Sequence, residues 1–163
     1  MPTIAKQAVK VADEVWIATA LLHREHPRQE DFSIAEVVER ARKEGLTSVL
    51  RPGVYVHALQ HCVANRPPNP GRYRMLTETA EGRRRLYRES DSYHPARHGA
   101  KCMPDAEDIP PAYQNLLKWY REEYSIRPGN KPKEHPILQL WGLGKGLWKD
   151  EDPDSYVRRL REE

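Results

Sequence analysis

No stretch of the 163-residue sequence approaches the roughly 20 consecutive apolar residues that a bilayer-spanning helix needs. Its opening also lacks the charged, apolar and small-residue succession of a secretory leader, so a soluble cytoplasmic protein is expected. Cysteine is scarce. Cys62 and Cys102 are too few for a disulfide framework and suit a reducing compartment. Internal repeats and low-complexity tracts are missing, leaving room for one compact domain with appendages. No Ser/His/Asp or Cys/His constellation has local support, and Gly142, Gly144 and Gly146 do not form a phosphate loop, because Gly-x-Gly-x-Gly lacks the motif and no strand clearly precedes it. His94, His98 and Cys102 are spaced four apart. Pro95 and Gly99 interrupt the helix that would align them, so neither metal nor cofactor is expected. These absences point away from an enzyme.

Charge is what the sequence has, and it is unevenly spread. The net charge is only +3, yet residues 51–101 hold ten Lys/Arg against four Asp/Glu. Both flanking segments are close to balance, with seven against eight before and ten against twelve after. A local basic excess is either a phosphate-binding footprint or a solvated charged face.

The apolar periodicity predicts a helix over about 4–24, with Val11, Val15, Ala18 and Leu22 on one side and Pro27 as its stop. After the short extended piece Asp31-Phe32-Ser33, the pairing of Ser33 with Glu36 reads as a capping box. It opens a second helix that Gly45 closes, with Ile34, Val37, Val38 and Ala41 inward. A third helix is predicted over 53–64, followed by strands 73–77 and 83–88 around a turn at 78–82. A Pro/His-rich loop leads to a further helix over 112–124. Then come a breaker-rich linker at 126–135 and a tail at 136–163. The fold class expected is mainly α with a small β-hairpin: a winged helix-turn-helix with an extra C-terminal helix and an extended or helical tail.

On a helical wheel the third helix places Val56, Leu59 and Val63 toward the core, flanked by Tyr55 and Cys62. Val54, His57, Ala58, His61 and Asn65 fall on the opposite side, in position to enter a major groove. His57 and His61 read either as base contacts or as residues of a wet helix surface. Arg51, just before the helix, and the hairpin residues Arg72, Arg74, Arg83, Arg84 and Arg85 complete the expected DNA-binding set. Arg74 aligns with Leu76 and Arg84 with Leu86, so some of these arginines line the sheet rather than the tip.

The runs Val63-Ala-Asn-Arg-Pro-Pro-Asn-Pro-Gly-Arg-Tyr-Arg-Met-Leu, Tyr93-His-Pro-Ala-Arg and Ile109-Pro-Pro-Ala-Tyr-Gln-Asn-Leu-Leu-Lys-Trp-Tyr resemble a family of prokaryotic winged-helix domains. Members stand alone or beside restriction-type and defence proteins. The resemblance spans about residues 10–125. It implies duplex DNA as partner and no catalytic residues. The tail from Leu140 to Arg161 is similar to the toxin-binding tails of VapB-type antitoxins, with its Gly-rich stretch, its Leu147-Trp148 pair, acidic residues and Asp-x-Tyr-Val-x-x-Leu-Arg. That resemblance implies a PIN-domain ribonuclease toxin as partner. Trp148 and Tyr156 would be apolar anchors, with Val157 and Leu160 on the same helix side, and Arg158, Arg159 or Arg161 would face the toxin's carboxylates. Trp141 and Leu147 join the partner-binding set only as large apolar side chains of the tail. VapB-type antitoxins carry a different N-terminal fold, so this would be an alternative domain combination.

On physical grounds alone, a tethered segment with two tryptophans has too little chain to bury them unaided. It packs on its own domain, mediates dimerisation or engages a partner. The function expected is a DNA-binding antitoxin and autoregulator acting as a homodimer. The alternative is a DNA-recognition module of a restriction or defence nuclease system, with a structural tail.

Overall fold

The structure, a computed structural model, describes residues 8–68 and 73–127. Helix α1 (Val11–Glu25) runs through the middle, with every residue from Ala12 to Ala20 buried. A helix covered on all sides is a core element rather than a surface one. Its polar residues are therefore inside as well: Asp13, Glu14, Thr19 and His23 are all buried. The helix stops at Glu25, two residues before Pro27, as the sequence predicts. The helix begins later than predicted, since residues 8–10 are not helical and Lys10 is extended with ψ of 149°; residues 4–7 lie outside the described residues.

Strand β1 (Phe32–Ser33) leads directly into α2 (Ile34–Glu44). The capping box is present in both directions: Glu36 N–H donates to Ser33 Oγ at 3.1 Å, and Ser33 N–H donates to the Glu36 carboxylate at 2.6 Å. Gly45 closes the helix with φ of +62°, the left-handed conformation that favours glycine. Ile34, Val37 and Ala41 are buried, while Val38 is only partly so.

Helix α3 departs from expectation. It opens as α-helix over Gly53–Val56, continues as a π turn over His57–His61, and ends three residues short of Ala64. The wider turn is closed by Cys62 N–H donating to the His57 carbonyl at 3.0 Å. Beyond it Val63 bridges to Leu76, and Cys62 C=O accepts from the backbone of both Met75 and Leu76.

Strands β2 (Leu76–Ala80) and β3 (Arg83–Leu86) form the hairpin, and β1 adds to its other edge, giving an antiparallel sheet in the order β1-β3-β2. β2 starts and ends three residues later than predicted. The ladder passes an irregularity between Glu78 and Ala80, leaving Glu81 and Gly82 (φ +70°) at the turn. β3 ends before Arg88, whose N–H donates to the Asp91 carboxylate at 2.8 Å instead of extending the ladder.

Short 3-10 turns at Pro95–Arg97, Ala106–Asp108 and Pro111–Tyr113 punctuate the loop that follows. Helix α4 (Gln114–Trp119) also ends in a π turn, Tyr120–Tyr124, with Ser125 N–H donating to the Tyr120 carbonyl at 2.8 Å. It docks on α1 through Leu116, Leu117, Tyr120 and Tyr124, and the Tyr120 ring meets Trp16 edge-on at 5.5 Å. The chain is thus mainly helical with a small three-stranded antiparallel sheet. Among the described residues no helix is long and apolar enough to cross a membrane.

Candidate nucleic-acid interface

The residues expected to read DNA come from α3 and from the hairpin. On α3 the buried side is Val54, Ala58, Cys62 and Val63, and the exposed side carries Tyr55 and Val56 at 52% and 40%. The wheel expected the reverse for Val54, Ala58 and Val56. Gly53 faces α1, where an added Cβ would come into van der Waals contact with Val11 Cγ1 at 3.4 Å. The inward stripe Val54, Ala58 and Cys62 recurs every four residues, on a face rotated from the one the wheel chose, and runs on through the π turn.

His57 is half-buried. Its Nδ1 lies 2.8 Å from the Gly53 carbonyl, so the ring carries its proton there and leaves Nε2 as an acceptor. Burial holds its pKa below the ordinary histidine value, and the ring supplies no positive charge at neutral pH. His61 stacks edge-on against it at 4.8 Å, and its own Nδ1 is buried with no hydrogen-bond partner. Asn65 is exposed, but its amide pairs in both directions with the Glu78 backbone at 2.9 Å. Arg51 binds the carboxylate of Glu14, a group only 1% exposed, at 2.5 Å.

The hairpin arginines divide by face. Arg84 is fully buried; its Nε donates to the Ala58 carbonyl at 3.0 Å and its Nη2 to Leu59 at 3.2 Å. Arg85, on the other face, is buried in a bidentate pair with Asp91, both hydrogen bonds at 2.6 Å. Neither is placed to reach a phosphate, which corrects the expectation that the arginine run lies on an exposed wing. The alignment of Arg84 with Leu86 on the sheet is as the strand period predicted. Arg83 remains at the surface beside the turn, tethered to Asp31 at 2.6 Å with Glu36 further off at 3.6 Å. Arg74 lies 4.3 Å over the Tyr93 ring and donates to the Ala100 carbonyl. Arg72 lies outside the described residues, as do Trp141, Leu147, Trp148, Tyr156, Val157, Arg158, Arg159, Leu160 and Arg161.

Much of the basic excess is thereby internal. Of the ten Lys/Arg in residues 51–101, Arg84, Arg85, Arg88 and Arg97 are buried, and Arg51, Arg66, Arg83 and Lys101 are in ion pairs. Arg97, the last residue of the Tyr93-His-Pro-Ala-Arg run, was not among the expected site residues. It is fully buried without a carboxylate partner among the described residues, and it donates to five backbone carbonyls, those of Gln60, His61, Arg66, Pro67 and Tyr73. No local pattern marks such a residue, since its acceptors lie up to 37 positions away.

Among the described residues no group of three or more His, Cys, Asp or Glu is arranged to hold a metal ion. His94 accepts from the Ala96 backbone, and His98 pairs with Tyr93 Oη. No protein-family model, curated protein or solved structure matches the chain.

Proposed function

We propose that this protein is a DNA-binding regulator built on a winged helix, acting as a homodimer, and that it performs no catalysis. The observation that carries the reading is topological. The order α1-β1-α2-α3-β2-β3, with β1 against β3 and a tight hairpin beyond α3, is the order in which winged-helix domains offer one helix and one wing to a duplex. Charge alone does not favour the reading, because so many arginines serve the fold. The contacts would fall on what remains outside: Arg83 at the wing, Arg51 and Tyr55 at the start of α3, and the acceptor nitrogen of His57.

The tail adds the antitoxin half of the proposal, supported by the sequence motif from Leu140 to Arg161. Its Trp148 and Tyr156 would anchor on a PIN-type ribonuclease. One observation favours the alternative, a recognition module in a nuclease assembly. The turn before α3 and its outer side both expose apolar side chains, Val49 at 75% in the turn and Tyr55 and Val56 on the helix, which suit protein as well as DNA.

Titration of the full chain into labelled random-sequence duplex at graded salt tests the DNA half. Affinity that falls steeply with salt supports it, and no binding at 50 mM salt or below, roughly the lower end of the range over which such affinities fall, rejects it. Co-expression with the neighbouring gene product, intact and truncated after Gly129, tests the tail. Rescue and co-purification only with the intact tail support an antitoxin.

A further inference from the structure

A cleft of about 370 Å³ opens between the C-terminal end of α1 and helix α4. Its size falls in the range of small-ligand pockets, roughly 300–1,000 Å³. Arg88, 5% exposed, lines it. The other buried arginines place both terminal nitrogens or more on the protein, Arg84 and Arg97 on carbonyls and Arg85 on Asp91, although Arg85 Nε, like that of Arg88, has no partner. The guanidinium of Arg88 makes no hydrogen bond among the described residues, and its Nε is buried without a partner. Its contacts are the Tyr124 ring, 4.7 Å below it, and the Glu30 carboxylate, 3.6 Å away and 63% exposed. A buried guanidinium with its donors unspent is costly unless something completes them.

His23 also lines the cleft. Its Nε2 accepts from the Leu86 N–H at 3.2 Å, so the proton sits on Nδ1. Burial, helped by Arg88, Arg85 and Arg127, pushes its pKa down to about 3 and keeps the ring neutral. The charges of the lining then decide what fits. Arg24, Arg88, Lys118 and Arg127 face Glu30, Glu122 and Glu123, leaving one net positive charge. One unit suits a monoanion, and the three carboxylates repel a polyanion such as a nucleic acid strand. Trp119, partly exposed and 5.3 Å from the Tyr124 ring, supplies an aromatic wall.

We propose that this cleft binds a small aromatic monocarboxylate, its carboxylate on Arg88 in place of Glu30 and its ring against Trp119. The site is separate from the α3 and wing surface assigned to DNA, and does not rest on that reading. It would give a regulator an effector input.

Calorimetric titration of the full chain with benzoate and with indole-3-carboxylate tests the proposal, with benzamide as the uncharged control. Saturable one-site binding of the carboxylates and none of benzamide is expected. Glu30→Gln, at the exposed rim, should tighten binding about fivefold, the scale of removing one exposed ionic competitor. Arg88→Met should abolish it. Because Arg88→Met alters a buried position, Glu30→Gln keeps the test valid if that variant does not fold. No saturable binding by wild type or by Glu30→Gln, an unchanged affinity in Glu30→Gln, or equal binding of benzamide would overturn the assignment.

Discussion

Arg84 and Arg97 divide the end of helix α3 between them. Arg84 donates to the carbonyls of Ala58 and Leu59, and Arg97 to those of Gln60 and His61, so four consecutive carbonyls are served by two buried guanidinium groups. The last turn of any helix leaves four carbonyls without intrahelical partners, at the negative end of the helix dipole. Here that end is largely covered, and the two guanidinium groups stand where water would otherwise serve. Guanidinium, with five donors in a fixed fork and a charge matched to the dipole, fits the task. One arginine comes from the central strand of the sheet and the other from the loop after it, so the pair fastens α3 to both.

Replacing Arg97 with Lys should therefore be severe although the charge is kept. An ammonium has three donors and cannot span the five carbonyls that Arg97 reaches. Orphaning two or more buried carbonyls costs on the order of 3–5 kcal/mol. Urea unfolding should show Arg97→Lys and Arg84→Lys destabilised on that scale. A loss within about 0.5 kcal/mol, typical of surface positions, would mean that the buried network contributes little.

For DNA binding the two neighbours Arg83 and Arg84 should separate cleanly. The Arg83–Asp31 pair is partly exposed, and such pairs are worth about 0–1 kcal/mol, so Arg83→Ala should leave the fold intact. If the wing touches phosphate, Arg83→Ala lowers affinity across sequences and reduces the salt slope by about one. Arg84→Ala should instead cause loss of folded protein. Arg51→Ala is a poor probe, because it strands the buried Glu14 carboxylate. Equal DNA affinity and slope in Arg83→Ala would remove the wing from the interface.

What the sequence revealed and what it hid follow a physical line. The Ser33–Glu36 capping box, the Gly45 closure, the helix stop before Pro27 and the order of elements were legible because each depends on neighbours within a few residues. The side of α3 that faces inward was not, because Val54, Ala58 and Cys62 recur at helical spacing as regularly as Val56, Leu59 and Val63 do, and only the packing on α1 decides between the two faces. Nor were the roles of Arg84, Arg85, Arg88 and Arg97. Three arginines in a row read as a DNA-contacting set, and only the distant partners of Arg84, Arg85 and Arg88, the α3 carbonyls, Asp91 and the Tyr124 ring, show those three to be interior. The candidate site was thus legible in its elements and misread in its side chains.

Two buried groups should give stability opposing pH dependences. His23 is held down to about 3 against an ordinary 6.5, so below pH 6.5 the unfolded chain takes up a proton that the folded chain refuses. Its contribution is present near neutrality and lost as pH falls from about 6.5 toward 3. Asp13 is raised to about 6, mainly by burial, so the folded chain holds a proton that the unfolded chain has released above pH 3.8. Its charged form weakens the fold above about pH 6, and that penalty fades as pH falls toward 4. Asp13→Asn should consequently stabilise at pH 7, by about 1–3 kcal/mol, with no gain at pH 4. His23→Gln, which keeps an acceptor for the Leu86 N–H, should shift acid unfolding to lower pH. Urea midpoints at pH 7, 5.5 and 4 check both signs, and an Asp13→Asn gain that is the same at every pH would contradict the buried-carboxyl account.

The rotation of α3 makes a prediction that the wheel would forbid. Val56 lies on the exposed side beside Tyr55, so Val56→Lys should change stability by no more than about 0.5 kcal/mol. Ala58, fully buried beneath the carbonyl that Arg84 holds, should not tolerate enlargement, and Ala58→Leu should cost roughly 1–3 kcal/mol by overpacking. The reverse pattern, with Val56→Lys unfolding the protein and Ala58→Leu neutral, would restore the face that the wheel chose. Val56→Lys also bears on what α3 meets. On a duplex an added cation should strengthen binding and steepen its salt dependence, whereas on an apolar protein surface it should weaken association. Anisotropy with duplex DNA and sedimentation of the same variant therefore separate a DNA-facing α3 from one that faces protein.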